Sequence, residues 1–254
     1  MRIPIIAANW KMHKNMQEAT AFVEDLGAQL EVNGVEIVIC PPCPLLGLIT
    51  EVCQQHGLRL GAQNMFYESA GAYTGEVSPR LLKNLGVQYV IIGHSERRQH
   101  FNETDQNVAR KVKAAYAHDL IPIVCVGETL QQRQAGFTKD VVGEQITLAL
   151  NGLDPSLIRK IVIAYEPVWA IGSGLAATAA DAALVAGGIR KLIGEKYSLK
   201  VARDIRIQYG GSVKPDNIRQ FMNEPEIDGA LVGGASLDPS IFAAIIHSAM
   251  GVSA

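Results

Sequence analysis

The residues best placed to do chemistry lie in the run Ile161-Val-Ile-Ala-Tyr-Glu166-Pro167-Val-Trp169-Ala-Ile-Gly172-Ser-Gly174. It opens as a β-branched apolar run, the pattern of a strand buried on both faces, and ends on a carboxylate followed at once by proline. Proline lacks an N–H and keeps its predecessor out of the α region, so Glu166 is expected to be extended at the strand's end. Beyond it stand an apolar knuckle, Val168 to Ile171, and two glycines able to take positive φ. A buried strand that stops on an acid, with an apolar flap on a flexible base beyond it, reads as a catalytic base under a lid. The plainer alternative is an acid marking a strand end, beside a tryptophan that only packs.

Other elements must bring partners to Glu166. Eight short apolar runs recur, at 4–9, 35–40, 58–63, 88–93, 121–126, 160–166, 205–209 and 229–232. Between them lie segments of helical spacing such as 17–30, 107–117, 141–150 and 181–193. Thr178, Asp181 and Ser240, the last following Asp238-Pro239, are the expected caps. Strands alternating with helices imply a parallel sheet with crossovers, and eight such units in 254 residues have the size of a closed (β/α)8 barrel. Periodicity does not show closure, so an open doubly wound sheet is the alternative. No linker, low-complexity tract or charge run divides the chain, and one α/β domain is expected over residues 1–254.

Polar groups collect at the carboxyl ends of these strands. They are Asn9-Trp-Lys11, Gln63-Asn64, Gly93-His94-Ser95-Glu96, Gly127-Glu128, Glu166, Gly210-Gly211-Ser212 and Gly233-Gly234. In a barrel all of these ends converge on one face, where catalytic residues sit. Lys11, just past a buried strand, reads as a site cation rather than a solvated lysine. His94, between a strand-ending glycine and a helix start, reads as a site histidine rather than a satisfied core one. Two glycine pairs after the last two strands would let backbone N–H groups approach a phosphate, and Ser212 adds a hydroxyl, although plain turns use the same residues.

Composition excludes several classes. A formal charge of −2 gives no footprint for nucleic acid or an anionic membrane, and no apolar run approaches a membrane span. The apolar stretch at the amino terminus is too short for a signal peptide. Cysteines at 40, 43, 53 and 125 read as cytosolic usage, and a cytoplasmic location is expected. Two prolines between Cys40 and Cys43, with no matching helix start, argue against a redox pair. The six histidines lack metal-ligand spacing, so no metal is expected. Asn102-Glu-Thr104 is a glycosylation sequon only in a secreted chain.

Five motifs carry a resemblance. Asn9-Trp-Lys11, Gly93-His-Ser-Glu-Arg-Arg98, Ala164-Tyr-Glu-Pro-Val-Trp-Ala-Ile-Gly172, Tyr209-Gly-Gly-Ser-Val213 and Leu231-Val-Gly-Gly-Ala-Ser-Leu237 closely resemble those of the triosephosphate isomerases. They stand in order from the first strand to the last, with no large insertion. The resemblance implies a TIM barrel and a cofactor-free isomerase that interconverts dihydroxyacetone phosphate and D-glyceraldehyde 3-phosphate. It implies Glu166 as the base that moves a proton between two carbons, and neutral His94 as the electrophile that polarises the carbonyl. The start of the helix after His94 should disfavour the imidazolium. By the same resemblance Lys11 stabilises the enediolate and helps to hold the dianionic substrate, with Asn9 as a polar donor beside it. Gly172, Ser212, Gly233 and Gly234 then grip the phosphate. A homodimer is implied through the loop Asn64–Ser78, whose Gly71-Ala-Tyr-Thr-Gly75 tip resembles the family loop that enters the partner subunit near Lys11.

Physical logic supports this division of labour. A carboxylate, with a pKa of about 4.3 in water, is a poor base for a carbon-bound proton unless it is desolvated. An apolar lid supplies that desolvation and keeps the enediolate from water. Lys11, Asn9 and His94 are fixed donors for the developing charge.

The chain departs from the family after Gly172. Ser173-Gly174-Leu175-Ala176-Ala177 replaces the usual Thr-Gly-Lys-(Thr or Ser)-Ala, and Ala179 stands where a proline is common, so lid motion is expected to be retuned. The same stretch fits the dinucleotide fingerprint G-x-G-x-x-A, which makes a dehydrogenase the second reading, although Pro167 to Ile171 intervenes between strand and fingerprint. A non-catalytic sugar-phosphate-binding barrel is the third. Glu166, His94 and Lys11 together argue against it, since binding alone needs no base.

Overall fold

The computed structural model describes residues 2–30, 33–171 and 177–251, and in it eight parallel strands pair in sequence order and close on themselves. They are β1 (Ile5–Asn9), β2 (Glu36–Cys40), β3 (Arg59–Ala62), β4 (Tyr89–Ile92), β5 (Ile121–Val126), β6 (Val162–Tyr165), β7 (Arg206–Tyr209) and β8 (Gly229–Val232). The β8–β1 register runs from Ile5 opposite Gly229 to Ala8 opposite Val232. That pairing makes the barrel and removes the open doubly wound sheet from consideration.

Each strand is buried on both faces, which is why its sequence reads as a continuous apolar run. Alternate residues serve two cores. Ile5, Ala7, Val38, Cys40, Tyr89, Ile91, Ile123, Cys125, Val162, Ala164 and Leu231 form one buried cluster. Their neighbours along the strands, among them Ile6, Ile37, Ile39, Val90, Val124, Ile163 and Ile207, form another with the apolar faces of the helices. Gln208 stitches the last strands to the first, its Nε2 donating to the carbonyls of Ile5 and Ala230 at 3.1 Å each.

The helices start earlier than their apolar periodicity because a polar first turn precedes the buried stripe. Helix Ala179–Lys196 is capped by Thr178, as expected, but Asp181 is its third residue and completes a capping box rather than acting as the cap. The last helix, Pro239–Met250, is capped by Asp238 and not by Ser240. Pro239 takes the first helical position, where no N–H is needed, and this moves the cap one residue ahead of it. The stretch from Asn64 to Ser78 has no helix or strand. It is nonetheless tied to itself, with Phe66 N donating to Val77 O at 2.8 Å and Ser78 Oγ to Ser69 O at 2.6 Å. No helix among the described residues is long and apolar enough to cross a membrane.

The cap assignment is directly testable. Asp238→Ala should lower stability by about 1 kcal/mol in denaturant unfolding, whereas Ser240→Ala should change it by less than about 0.5 kcal/mol. The reverse order would restore Ser240 as the cap.

Candidate active site

β4 ends at Ile92, and Gly93 turns the chain at φ +75° into the helix Ser95–Phe101. His94 is the cap of that helix: its Nδ1 accepts from Glu96 N at 3.2 Å. An accepting Nδ1 carries no proton, so the neutral ring holds its hydrogen on Nε2. That Nε2 lies 2.9 Å from Glu166 Oε1, and the other oxygen, Oε2, accepts from Ser95 N at 2.9 Å. Both side chains are buried, His94 at 6% and Glu166 at 2% exposure.

Glu166 directly follows β6, and its N–H still donates to Val126 O at 2.8 Å, so the barrel fixes its backbone. Two glycines give it room. A Cβ at Gly127 would overlap the Glu166 carbonyl, and one at Gly210 would stand 2.8 Å from its Cγ.

Lys11 arrives from the end of β1 with φ 53°, in the left-handed region. Its N–H donates to Asn9 Oδ1 at 3.1 Å, and its carbonyl accepts from Gln63 Nε2 at 2.8 Å. Its ammonium pairs with Glu96 Oε1 at 2.5 Å.

These groups border one cavity of about 500 Å³, whose lining includes Asn9, Lys11, His94, Ser95, Glu96, Glu166, Ser212, Gly233 and Gly234. Of the expected site residues all but Gly172 meet there, and Gly172 lies outside the described residues. So does the hinge departure from Ser173 to Ala176. Ser95, Glu96 and Gln63 were visible as polar strand-end residues, but no sequence signal gave their roles.

The electrostatics add charges that act against the expected influence of the helix start. Burial works against the imidazolium of His94, but the charge and hydrogen bond of Glu166, helped by Glu96, outweigh it and set His94 above its ordinary value, with Lys11 opposing. The helix start was expected to favour the neutral ring, yet two carboxylates that sequence reasoning did not set against it pull the other way. Burial pushes Glu166 up, but His94 and the two groups of Ser95 more than compensate and hold it below the usual carboxylate range.

A second buried carboxylate lies against Trp169. Glu128, fully buried, accepts from Trp169 Nε1 at 2.9 Å and from the Tyr165 hydroxyl at 3.2 Å. Arg133 lies 4.4 Å over the Trp169 ring and donates to Asp181 Oδ1 at 3.0 Å.

The dinucleotide reading loses its footing here. A 3-10 turn, Val168–Ala170, stands between β6 and the fingerprint, so no strand leads directly into it. All four cysteines are free; Cys40 is buried at the end of β2, and burial raises its thiol well above the usual value. Among the described residues no group of three or more His, Cys, Asp or Glu is arranged to hold a metal.

A family model described as Triosephosphate isomerase matches residues 4–249. The triosephosphate isomerase of Moorella thermoacetica is 54% identical over 247 residues, covering 97% of this chain and 99% of that protein. That of Caldanaerobacter subterraneus subsp. tengcongensis is 56% identical over 247 residues, 97% of this chain and 100% of its own. That of Chloroflexus aurantiacus is 53% identical over 248 residues, 97% and 99% respectively.

If Glu166 is what raises His94, Glu166→Gln should lower the His94 pKa in an NMR titration, because burial is then left as the main influence. An unchanged or higher value would contradict the coupling.

Proposed function

The chain belongs to the triosephosphate isomerase family, and from that premise we propose that Glu166 is its proton-transferring base, with His94 and Lys11 as the groups that stabilise the enediolate. The enzyme interconverts dihydroxyacetone phosphate and D-glyceraldehyde 3-phosphate, a step of glycolysis and gluconeogenesis. The observation that carries the site assignment is the Glu166 carboxylate, held at the cavity by His94 Nε2 and Ser95 N across from Lys11.

Held this way, Glu166 is a weak base, because its two donors favour the charged form. Reaching a substrate carbon means leaving both donors while remaining buried. Desolvation then dominates and the same carboxylate becomes a stronger base. His94 loses the carboxylate that raises its pKa at the same moment. Its Nε2–H is thereby freed to donate to the substrate's carbonyl oxygen. Lys11 supplies positive charge to the enediolate and to the phosphate, and Asn9 stands beside it. Gly172, Ser212, Gly233 and Gly234 form the phosphate grip, the last three bordering the same cavity.

We further propose a homodimer through the loop Asn64–Ser78. Its support is exposed apolar side chains: Met12, beside Lys11, is 93% exposed, Phe101 64% and Tyr73, on the loop tip, 45%. A partner's loop laid on Met12 would hold the left-handed Lys11 backbone in place. Residues 1–254 form one functional domain in this reading, and four free cysteines favour the reducing cytoplasm.

Two experiments test these assignments. Glu166→Gln keeps the shape and removes the proton acceptor, so kcat should fall by roughly 10²–10⁴ with the fold intact by circular dichroism. A loss below about tenfold would remove Glu166 from the role. Shortening Ala70 to Glu76 should give a monomer of little activity in sedimentation and turnover measurements. A fully active monomer would rule out the dimer's part in the site.

A further inference from the structure

The loop after β1 carries two lysines at positive φ, Lys11 at 53° and Lys14 at 74°. That backbone is strained for a side chain with a Cβ, and glycine would take it freely. Lys11 reaches the cavity, but Lys14 is not among its lining residues, so the strain there needs another reason. The Lys14 ammonium crosses to the far end of the 3-10 turn Gly234–Leu237 and donates to Leu237 O at 2.8 Å. It lies over the rings of Trp10 and Phe22, 5.2 and 4.5 Å from their centroids. Those rings are buried and meet edge to face at 4.9 Å, so the cation rests on a fixed platform. Burial lowers the Lys14 pKa despite Glu18 and Asp238, as expected for a cation drawn out of water.

The turn it reaches is the phosphate wall of the cavity. Ser236, fully buried within it, folds the turn on itself, with Ser236 N donating to Gly233 O at 2.8 Å and its Oγ lying 2.7 Å from the same carbonyl. The start of the turn packs on the other lysine: a Cβ at Gly233 would stand 3.2 Å from Lys11 Cε. One loop therefore grips the turn at both ends. We propose that Lys14 is a positioning residue for phosphate recognition, clamping the Gly233–Leu237 turn so that the Gly233 and Gly234 N–H groups stay at the cavity wall. This rests on the phosphate grip assigned above.

The test uses the full chain with Lys14→Gly and Lys14→Arg, inorganic phosphate as a competitive inhibitor, and two substrates, glyceraldehyde 3-phosphate and phosphate-free glyceraldehyde. Lys14→Gly removes the clamp and the backbone strain together, so its thermal midpoint should be no lower than that of the unsubstituted protein. Its phosphate dissociation constant should rise, and kcat/KM for glyceraldehyde 3-phosphate should fall, each by about three- to tenfold. Glyceraldehyde turnover should stay within about twofold, a separation that a general structural role would not produce. Lys14→Arg keeps a donor and a cation over the rings and should restore phosphate affinity to within about twofold. Unchanged phosphate binding in Lys14→Gly would overturn the proposal. So would an equal loss with glyceraldehyde, or a loss that vanishes at high enzyme concentration and thus belongs to subunit association. If phosphate did not inhibit the unsubstituted enzyme, the phosphate grip itself would fall, whatever Lys14 does.

Discussion

The cavity depends on two hydrogen bonds to one carboxylate, from His94 Nε2 to Glu166 Oε1 and from Ser95 N to Glu166 Oε2, each 2.9 Å. The donors follow β4 and the acceptor follows β6, so the contact spans β5, which lies between them. The parallel pairing of β4, β5 and β6 sets those two strand ends at the same rim of the barrel. Gly127, just past β5, lets the main chain of Glu166 pass close by, since a Cβ there would overlap the Glu166 carbonyl. The acid and its donors therefore meet across the width of one strand, β5.

The same two bonds favour the charged form of Glu166, so the proposed proton transfer requires their release. The described flanks of the proposed lid are held by other groups. Trp169 hangs on Glu128 by its indole N–H, and Asp181, past the lid's far end, is held by Arg133. Arg133 also lies over the Trp169 ring, so one guanidinium touches both flanks of the lid. Two buried carboxylates therefore sit side by side in the chain's logic with different tasks. Glu128 accepts from Tyr165 and Trp169, while Glu166 accepts from His94 and Ser95 at the cavity.

Much of this was legible in the sequence because strand ends are written in local chemistry. A β-branched run that stops at Glu166-Pro167, and glycine pairs after β7 and β8, announce a barrel face before any coordinates. What stayed hidden was non-local. The β8–β1 pairing links residues more than two hundred positions apart, and periodicity carries no sign of it. The ion pair of Lys11 with Glu96 and the pull of Glu166 on His94 likewise depend on where separate strands end. Ser240 looked like a cap by type, but Pro239 ahead of it transfers the role to Asp238. Lys14 offered no signal at all. A lysine in a polar loop reads as solvated, and only its φ and its reach to Leu237 reveal otherwise.

A base at Glu166 requires that the migrating hydrogen pass through a titratable carboxylate, which can exchange protons with water, rather than move directly from carbon to carbon. Converting dihydroxyacetone phosphate in D2O and reading the glyceraldehyde 3-phosphate formed by proton NMR tests this most directly. Deuterium at the carbon beside the aldehyde is the predicted result. Product carrying only the substrate's own hydrogen at that carbon, formed at an undiminished rate by Glu166→Gln, would point to a hydride shift and contradict the base at Glu166.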